Sequence, residues 1–297
     1  MTTIRNPVEW GLDQFRHAAH GVGSAARGVH HVQERAHSPR PDVRRIGPSD
    51  LTDALAKGLK DFGAYRTDVI FLCLFYPIIG FVLARLAFGS GLLPLVFPLA
   101  TGFALVGPVA AIGLYEMSRQ RELGEAVSWA TVFHITRTPS FAAIVMLSLT
   151  LVAIYVVWLA VAWMIYGLTL GAAPLGLGPV APQSIASFIH DVFTTSAGWK
   201  MIAIGCSVGF LFALLVLAIG TISFPLLVDR DVGLDTAIAT SLRVFTANPG
   251  AMALWGLIVA SGLVIGSIPV FLGLIIVLPV LGHATWHLYR KVVEPAG

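Results

Sequence analysis

The chain has 297 residues, of which 56% are hydrophobic and only 12% are charged. Because about a quarter of the residues in a soluble domain are charged, this composition excludes an ordinary soluble protein and indicates an integral membrane protein. The net charge of +3 is accompanied by no nucleic-acid-binding motif, so nucleic acid is not predicted as a partner.

Residues 1–47 form a predicted cytoplasmic amino-terminal extension. They are polar and lack the apolar core of a cleavable signal peptide. Apolar residues recur at helical spacing between residues 7 and 36, which predicts a helix lying at the membrane interface. The basic stretch RPDVRRIG at residues 40–47 is typical of a linker that meets anionic headgroups.

An amphipathic helical pattern occurs three times, each time before a long apolar stretch. The stripes are Leu51, Ala54, Leu55, Leu59 and Phe62; Leu123, Ala126, Val127, Thr131 and His134; and Leu234, Ala237, Ile238, Leu242 and Phe245. The first and third copies share their spacing and nearly all residue types, whereas the second is degenerate at its last two positions. This recurrence predicts three repeats, each made of one amphipathic helix and two transmembrane helices.

Residues 48–293 are therefore predicted to form an all-α, polytopic membrane helix bundle of six spans. A helical span needs about 20 apolar residues. The predicted spans lie near 68–88, 92–116, 141–168, 200–228, 251–268 and 269–289. The last apolar run is divided at Pro269, because proline is tolerated at the start of a helix but not in its interior.

The distribution of Lys and Arg predicts the orientation. With six spans, almost all basic residues fall on one side of the membrane, and only Arg85 and Lys200 lie near the other. The positive-inside rule then predicts that both termini and the three amphipathic helices are cytoplasmic, in a bacterial inner membrane. Five spans would leave Arg290 and Lys291 outside.

Polar residues at the cytoplasmic ends of the spans form the candidate site. His283 and His287 are four residues apart and share a helix face. Glu116 and His287 each lie eight residues after a proline, so we expect them to face each other if the repeats pack with pseudo-symmetry. The predicted polar cluster at the cytoplasmic interface consists of Glu116, Arg119, His134, His283, His287 and Arg290.

The histidine pair has two interpretations. His283 and His287 are either part of an interfacial belt with structural hydrogen bonds, or weak candidates for metal or haem ligands. A zinc site usually needs three or four ligands, so no cofactor is predicted. The chain also lacks a phosphate-binding loop, a nucleophile elbow and a dinucleotide fingerprint, so no catalytic residue is predicted and a non-enzymatic role is favoured.

Three motifs in order resemble a bacterial membrane family known as domain of unknown function 2189. They are VRRI at 43–46 with the Asp50-Leu51 and Asp61-Phe62 pairs that follow, YPIIG at 76–80, and GHATWHLYR at 282–290. The resemblance covers residues 43–293 and implies an integral membrane protein of proteobacterial type. Some members of the family carry a label as putative cytochrome c oxidase subunits, but this chain lacks the mid-membrane histidines of a haem-copper catalytic subunit.

The leading hypothesis is a non-enzymatic accessory or assembly subunit that associates with another membrane complex, respiratory or photosynthetic. One alternative is a haem- or metal-binding redox subunit that uses His283 and His287. The other is an uncoupled transporter or channel for a small solute. The absence of Asp, Glu and Lys from the middle of every predicted span disfavours coupled transport.

Overall fold

The computed structural model describes residues 41–73, 93–105, 107–125, 127, 135–136, 138–171, 184–269 and 272–294. These residues are helical apart from turns and one isolated bridge between Val43 and Val293. The helices are α1 Pro48–Cys73, α2 Val96–Leu105, α3 Gly107–Ala110, α4 Ile112–Glu122, α5 Phe141–Leu168, α6 Ile185–Thr194, α7 Ser196–Asp229, α8 Leu234–Ala247, α9 Pro249–Ser267 and α10 Leu274–Val292. A 3₁₀ turn, Leu93–Leu95, precedes α2.

Three of these helices are long and apolar enough to cross a membrane. They are α5, α7 and α9, with 28, 34 and 19 residues, against the roughly 20 that a bilayer requires. Their positions agree with the spans predicted near 141–168, 200–228 and 251–268. The all-helical fold predicted from the sequence is therefore confirmed for the described residues.

The other predicted spans differ from the structure or extend beyond the described residues. Within the predicted span at 92–116 the structure describes the 3₁₀ turn and the helices α2, α3 and α4, with a turn at Ala111 between α3 and α4, whereas residue 106 lies outside the described residues. Pro94, Pro98 and Pro108 lie in this region, and a proline removes one helical hydrogen bond and crowds the preceding turn. The predicted span at 269–289 corresponds to α10, which begins at residue 274, and residues 74–88 of the first span lie outside the described residues.

The amphipathic helices of the first and third copies bury equivalent positions. In α1 the buried positions are Leu51, Ala54, Gly58 and Asp61; in α8 the matching buried positions are Ala237, Ser241 and Val244, after a half-buried Leu234. Leu59 and Leu242, which the predicted stripe included, are exposed in both copies. Counted from Leu51 in α1 and from Leu234 in α8, the face turned toward the core consists of positions i, i+3, i+7 and i+10. It is rotated from the predicted stripe by the same amount in both helices.

The two copies also dock on their neighbours at the same position. Gly58 of α1 lies against α10, where an added Cβ would come within 2.6 Å of the Ala284 nitrogen and 2.7 Å of the Val280 oxygen. At the equivalent place in α8, Ser241 Oγ donates to the Ala218 carbonyl of α7 at 2.6 Å, and the Ile222 nitrogen lies 3.4 Å from it. Both contacts span four residues of the long helix, so the two pairs share one packing geometry.

The second copy is only partly described. Gly124 has a φ of +73°, and residues 123–125 and 127 are not helical. A positive φ is readily adopted by glycine and ends a helix. The remaining predicted stripe residues, Ala126, Thr131 and His134, lie outside the described residues.

The linker before α1 contacts both the junction between α8 and α9 and the end of α10. The Asn248 side chain accepts a hydrogen bond from the Ile46 nitrogen at 2.9 Å and donates to the Arg44 carbonyl at 3.1 Å. The Arg44 nitrogen in turn donates to the Val292 carbonyl at the end of α10. α8 ends at Ala247 and α9 begins at Pro249, because proline disfavours a helical conformation in the residue before it. Residues 1–40 lie outside the described part of the chain.

Candidate functional site

Polar side chains collect where the ends of α4, α7 and α10 meet and where α1 packs on α10. Two aspartates organise them. We define the Asp61 cluster as Asp61, Ser118, Arg121, His283 and His287, and the Asp229 cluster as Asp229, Arg119, Arg230, Tyr289 and Arg290. Both clusters contain residues of α4 and α10, and we refer to the two clusters together as the polar layer.

Asp61 accepts hydrogen bonds from two other helices. Ser118 Oγ of α4 donates to Asp61 Oδ2 at 2.7 Å, and His287 Nε2 of α10 lies 2.8 Å from the same oxygen. Arg121 Nη1 of α4 donates to Asp61 Oδ1 at 2.7 Å. One buried carboxylate therefore joins α1, α4 and α10, and both of its oxygens are engaged.

The environment favours the ionised form of Asp61. Burial alone would raise the pKa of this carboxyl group, but the hydrogen bonds from His287 and Ser118 outweigh burial, so the pKa lies below its ordinary value. An ionised carboxylate can only accept hydrogen bonds. Ser118 and His287 therefore act as donors to Asp61.

This arrangement sets the tautomer of His283. The single hydroxyl proton of Ser118 is directed at Asp61, and His283 Nδ1 lies 2.8 Å from Ser118 Oγ, so Nδ1 is the donor in that contact. The other ring nitrogen, Nε2, then carries a lone pair. His283 is fully buried, and Nε2 has no hydrogen-bond partner in the described part of the chain. The His283 ring is thus oriented from one side and leaves an acceptor free on the other.

The Asp229 cluster joins α7 to α4 and α10. Tyr289 OH donates to Asp229 Oδ2 at 2.6 Å, and Arg290 Nη1 donates to the same oxygen at 3.3 Å. Arg230 Nε lies 3.4 Å from Asp229 Oδ2, and Arg119 Nε lies 4.0 Å from Oδ1. Three arginines therefore surround one carboxylate, and two of them, Arg119 and Arg290, also pair with glutamates of α4.

Two glutamates of α4 extend the layer. Glu116 is buried and accepts hydrogen bonds from Arg119 Nη1 at 3.2 Å and Gln120 Nε2 at 3.0 Å. Glu122 accepts from Arg290 Nε at 3.1 Å and from Trp286 Nε1 at 3.2 Å. The predicted contact between Glu116 and a histidine is not among these bonds and stays a prediction.

At the rim of the layer, Lys291 joins α10 to the first turns of α1. Its Nζ lies 3.0 Å from Asp50 Oδ1 and 2.9 Å from Asp53 Oδ2. Hydrogen bonds to Asp53 and Asp50 raise the pKa of Lys291, and the Gly47 nitrogen and Lys291 lower the pKa of Asp50. These groups are partly exposed, so solvent weakens their contribution to stability.

The sequence-predicted residues thus separate into two groups. Arg119 and Arg290 converge on Asp229, and Glu116 is attached to them through Arg119. His283 and His287 are joined through Ser118 and Asp61. His134 lies outside the described residues.

The sequence reading missed the two aspartates and Ser118. Asp61 carried a signal, because it continues the buried face of α1 at the position that Val244 holds in α8, and a buried acid on an apolar face needs partners. Asp229 and Ser118 carry no comparable signal, since their roles arise only when the helix ends meet. Within the described residues, no group of three or more His, Cys, Asp and Glu side chains is arranged to hold a metal ion.

The family comparison agrees with the membrane class. Residues 96–229 match the model of a family described as "Predicted integral membrane protein (DUF2189)". The resemblance to DUF2189 is thereby confirmed for the part of the chain that runs from α2 to α7, which contributes Glu116, Ser118, Arg119, Arg121 and Asp229 to the polar layer. Comparison with curated proteins and with solved structures gives no match.

The Asp61 cluster predicts a dependence of stability on pH. Because the folded-state pKa of Asp61 lies below its ordinary value of 3.8, its stabilising contribution is complete above that value. The contribution is lost as the pH falls through the folded-state pKa. We expect the thermal midpoint in detergent to fall more steeply below about pH 4 for the wild type than for Asp61→Asn. Parallel profiles for the two proteins would contradict the ionised state of Asp61.

Proposed function

We propose that the protein is a non-enzymatic inner-membrane scaffold that associates, as an accessory or assembly subunit, with another membrane complex. The observation that carries this proposal is that the buried polar residues bond to one another between helices. Asp61 and Asp229 each bond to side chains from two other helices, so the groups best suited to acid–base chemistry hold the bundle together. A respiratory or photosynthetic complex is the proposed class of partner.

The proposal includes six spans in three repeats, with both termini in the cytoplasm. The equivalent docking of α1 on α10 and of α8 on α7 supports the repeat. The basic residues Arg119, Arg121, Arg230, Arg290 and Lys291 lie at the joined ends of α4, α7 and α10, which supports a cytoplasmic location for the polar layer. Two elements of the proposed repeat lie partly outside the described residues. They are the first span, near 68–88, and the second amphipathic helix, which contains Ala126, Thr131 and His134.

Lateral association is supported by the apolar surface of the long helices. Large apolar side chains are exposed along α5, α7 and α9, among them Leu149, Val156, Phe210, Leu211 and Leu257. Such surfaces face lipid acyl chains or the helices of a neighbouring membrane protein. Glycines on the same helices, as at Gly205, allow close approach of another helix, because an added Cβ there would meet nothing within 4 Å.

Purification from native membranes tests the proposal. The full-length protein, carrying an affinity tag at its carboxyl terminus, is extracted in a mild detergent and its co-purifying proteins are quantified by mass spectrometry. Stoichiometric recovery of the subunits of one complex is expected. Recovery of the chain alone, both in detergent and in lipid-preserving polymer discs, would contradict an accessory role.

A second candidate function, haem or metal binding, has one observation in its favour. The Nε2 lone pair of His283 is unpartnered, and its Nδ1 is held by Ser118 and Asp61, as the second nitrogen of a metal-binding histidine commonly is. Protein purified from its native membrane should then carry stoichiometric metal or a Soret band that His283→Ala removes. A colourless, metal-free protein that keeps its native fold would exclude this function.

A further inference from the structure

The short helix α6 carries an apolar face that the described part of the chain covers only in part. Phe188 and Val192 point toward the bundle, where Phe188 contacts the Tyr166 ring at 6.3 Å between centroids and Val192 is buried. Ile185, Ile189 and Phe193 lie beside them on the helix, within an arc of roughly 80° at 100° per residue. Their side chains are nevertheless 51%, 51% and 58% exposed.

The elbow between α6 and α7 fixes this orientation. Only Thr195 separates the two helices, and its Oγ1 accepts from the Gly198 nitrogen at 3.0 Å while donating to the Asp191 carbonyl at 2.6 Å. Trp199 Nε1 donates to the Phe193 carbonyl at 3.0 Å. A Cβ at Gly198 would overlap the carbonyl groups of Asp191 and Val192, so the two backbones are in direct contact. α6 therefore cannot rotate to bury its exposed apolar residues without breaking the elbow.

The exposed face continues onto the surface of α7. Phe193 packs edge-on against Trp199 of α7 at 6.5 Å between centroids, and Trp199 is itself exposed. α7 is apolar and long enough to cross a membrane, so the start of this helix lies near a membrane surface. Tryptophan is enriched at that level, where its ring is in apolar surroundings and its N–H is satisfied.

The opposite side of α6 is polar. Ser187, His190, Asp191 and Thr194 occupy the remaining arc, and His190, Asp191 and Thr194 are exposed. A helix with one apolar and one polar face, joined rigidly to the start of a span, has the properties of an interfacial helix. On a helix surrounded by water, the large side chains of Ile185, Ile189 and Phe193 would expose apolar surface to solvent, which is unfavourable.

We propose that Ile185, Ile189 and Phe193 form a lipid-binding face, and that α6 lies in the bilayer interface with this face against acyl chains. α6 then anchors the outer end of α7 and fixes its depth in the membrane. This lipid face does not depend on a protein partner. The outer leaflet is its location under the proposed six-span topology, whereas lipid contact itself requires only that α7 spans the membrane.

Site-directed fluorescence tests the lipid face in the full-length protein. Cys73 and Cys206 are first replaced by alanine, and single cysteines are then introduced as Ile189→Cys or, in the matched control, His190→Cys. Each variant is labelled with a nitrobenzoxadiazole probe and reconstituted in phosphatidylcholine vesicles. The probe is quenched either by lipids that carry a nitroxide on the acyl chain or by aqueous iodide.

We expect several-fold stronger quenching by lipid nitroxide at residue 189 than at residue 190, and the reverse order with iodide. Equal iodide quenching at both residues would overturn the proposal, because both faces would then be in water. Protection of residue 189 from both quenchers would also overturn it, since a protein surface, from a partner or a second copy, would then cover the face. Ile185→Cys provides a second position on the same face if the first variant does not fold.

Discussion

Replacing Asp61 with asparagine is expected to lower the free energy of unfolding by about 3–5 kcal/mol, the range for removing one partner of a buried ion pair. The substitution keeps the size of the side chain but removes its charge. Arg121 then loses its carboxylate, and only one end of the asparagine amide can accept, so its NH₂ group faces either Arg121 or the donors Ser118 and His287. The contacts that join α1 to α4 and α10 should weaken together. Reversible unfolding in mixed detergent micelles measures the loss.

Asp53→Asn is the matched control for this experiment. Asp53 lies on the same helix and pairs with Lys57 and Lys291, but its side chain is 43% exposed, against 7% for Asp61. Exposed ion pairs contribute little because water and salt screen them. We expect the unfolding curve of this variant to stay close to that of the wild type. If the two aspartate variants lost equal stability, Asp61 would not have the joining role described above.

Replacing Gly58 with alanine is expected to destabilise the protein by about 1–3 kcal/mol, as overpacking of a close contact does. The added methyl group would lie 2.6–2.8 Å from backbone atoms of Val280 and Ala284. Backbone atoms cannot move aside as a flexible side chain can, so α1 must shift away from α10. That shift would also lengthen the hydrogen bonds of Asp61, which lies one turn further along the same face. Thermal unfolding measures the loss of stability. The rate at which a cysteine in α1 is labelled measures the shift of α1 away from α10.

Gly63→Ala separates steric crowding from helix propensity. Gly63 is on the same helix, and an added Cβ there would meet nothing within 4 Å. Alanine favours a helix over glycine by about 0.5–1 kcal/mol, so this variant should be neutral or slightly more stable. A Gly58→Ala protein as stable as Gly63→Ala would show that α1 does not rest directly on the backbone of α10.

Much of the fold could be predicted because single helices leave a periodic signal. The bounds of α5 agree with the predicted span, and the Asn248–Pro249 boundary follows from the effect of proline on the residue before it. The region at 92–116 was predicted as one continuous span, but it begins with a 3₁₀ turn and is interrupted at Ala111, because a hydropathy pattern does not register each lost hydrogen bond. Leu59 and Leu242 were predicted on the apolar stripe but are exposed. Which face of α1 and α8 is buried depends on tertiary contacts with neighbouring helices, and the local sequence does not specify these contacts.

The candidate site was predictable in part for the same reason. Arg119, Arg290 and the histidine pair stand out as polar residues at the ends of apolar helices. Their pairing with Asp61 and Asp229 does not, because these aspartates lie far from them along the chain. The distances that assign partners, such as the 2.6 Å between Tyr289 and Asp229, exist only after the three helix ends have packed together.

The polar layer joins the helices, and a double-mutant cycle between Asp61 and His287 tests this role most directly. The free energy of unfolding is measured for wild type, Asp61→Asn, His287→Gln and the double variant under the same conditions. We predict that the double variant loses less stability than the sum of the single variants, with a coupling of about 1 kcal/mol or more. Additive losses would contradict the account, because the two residues would then not hold α1 and α10 together.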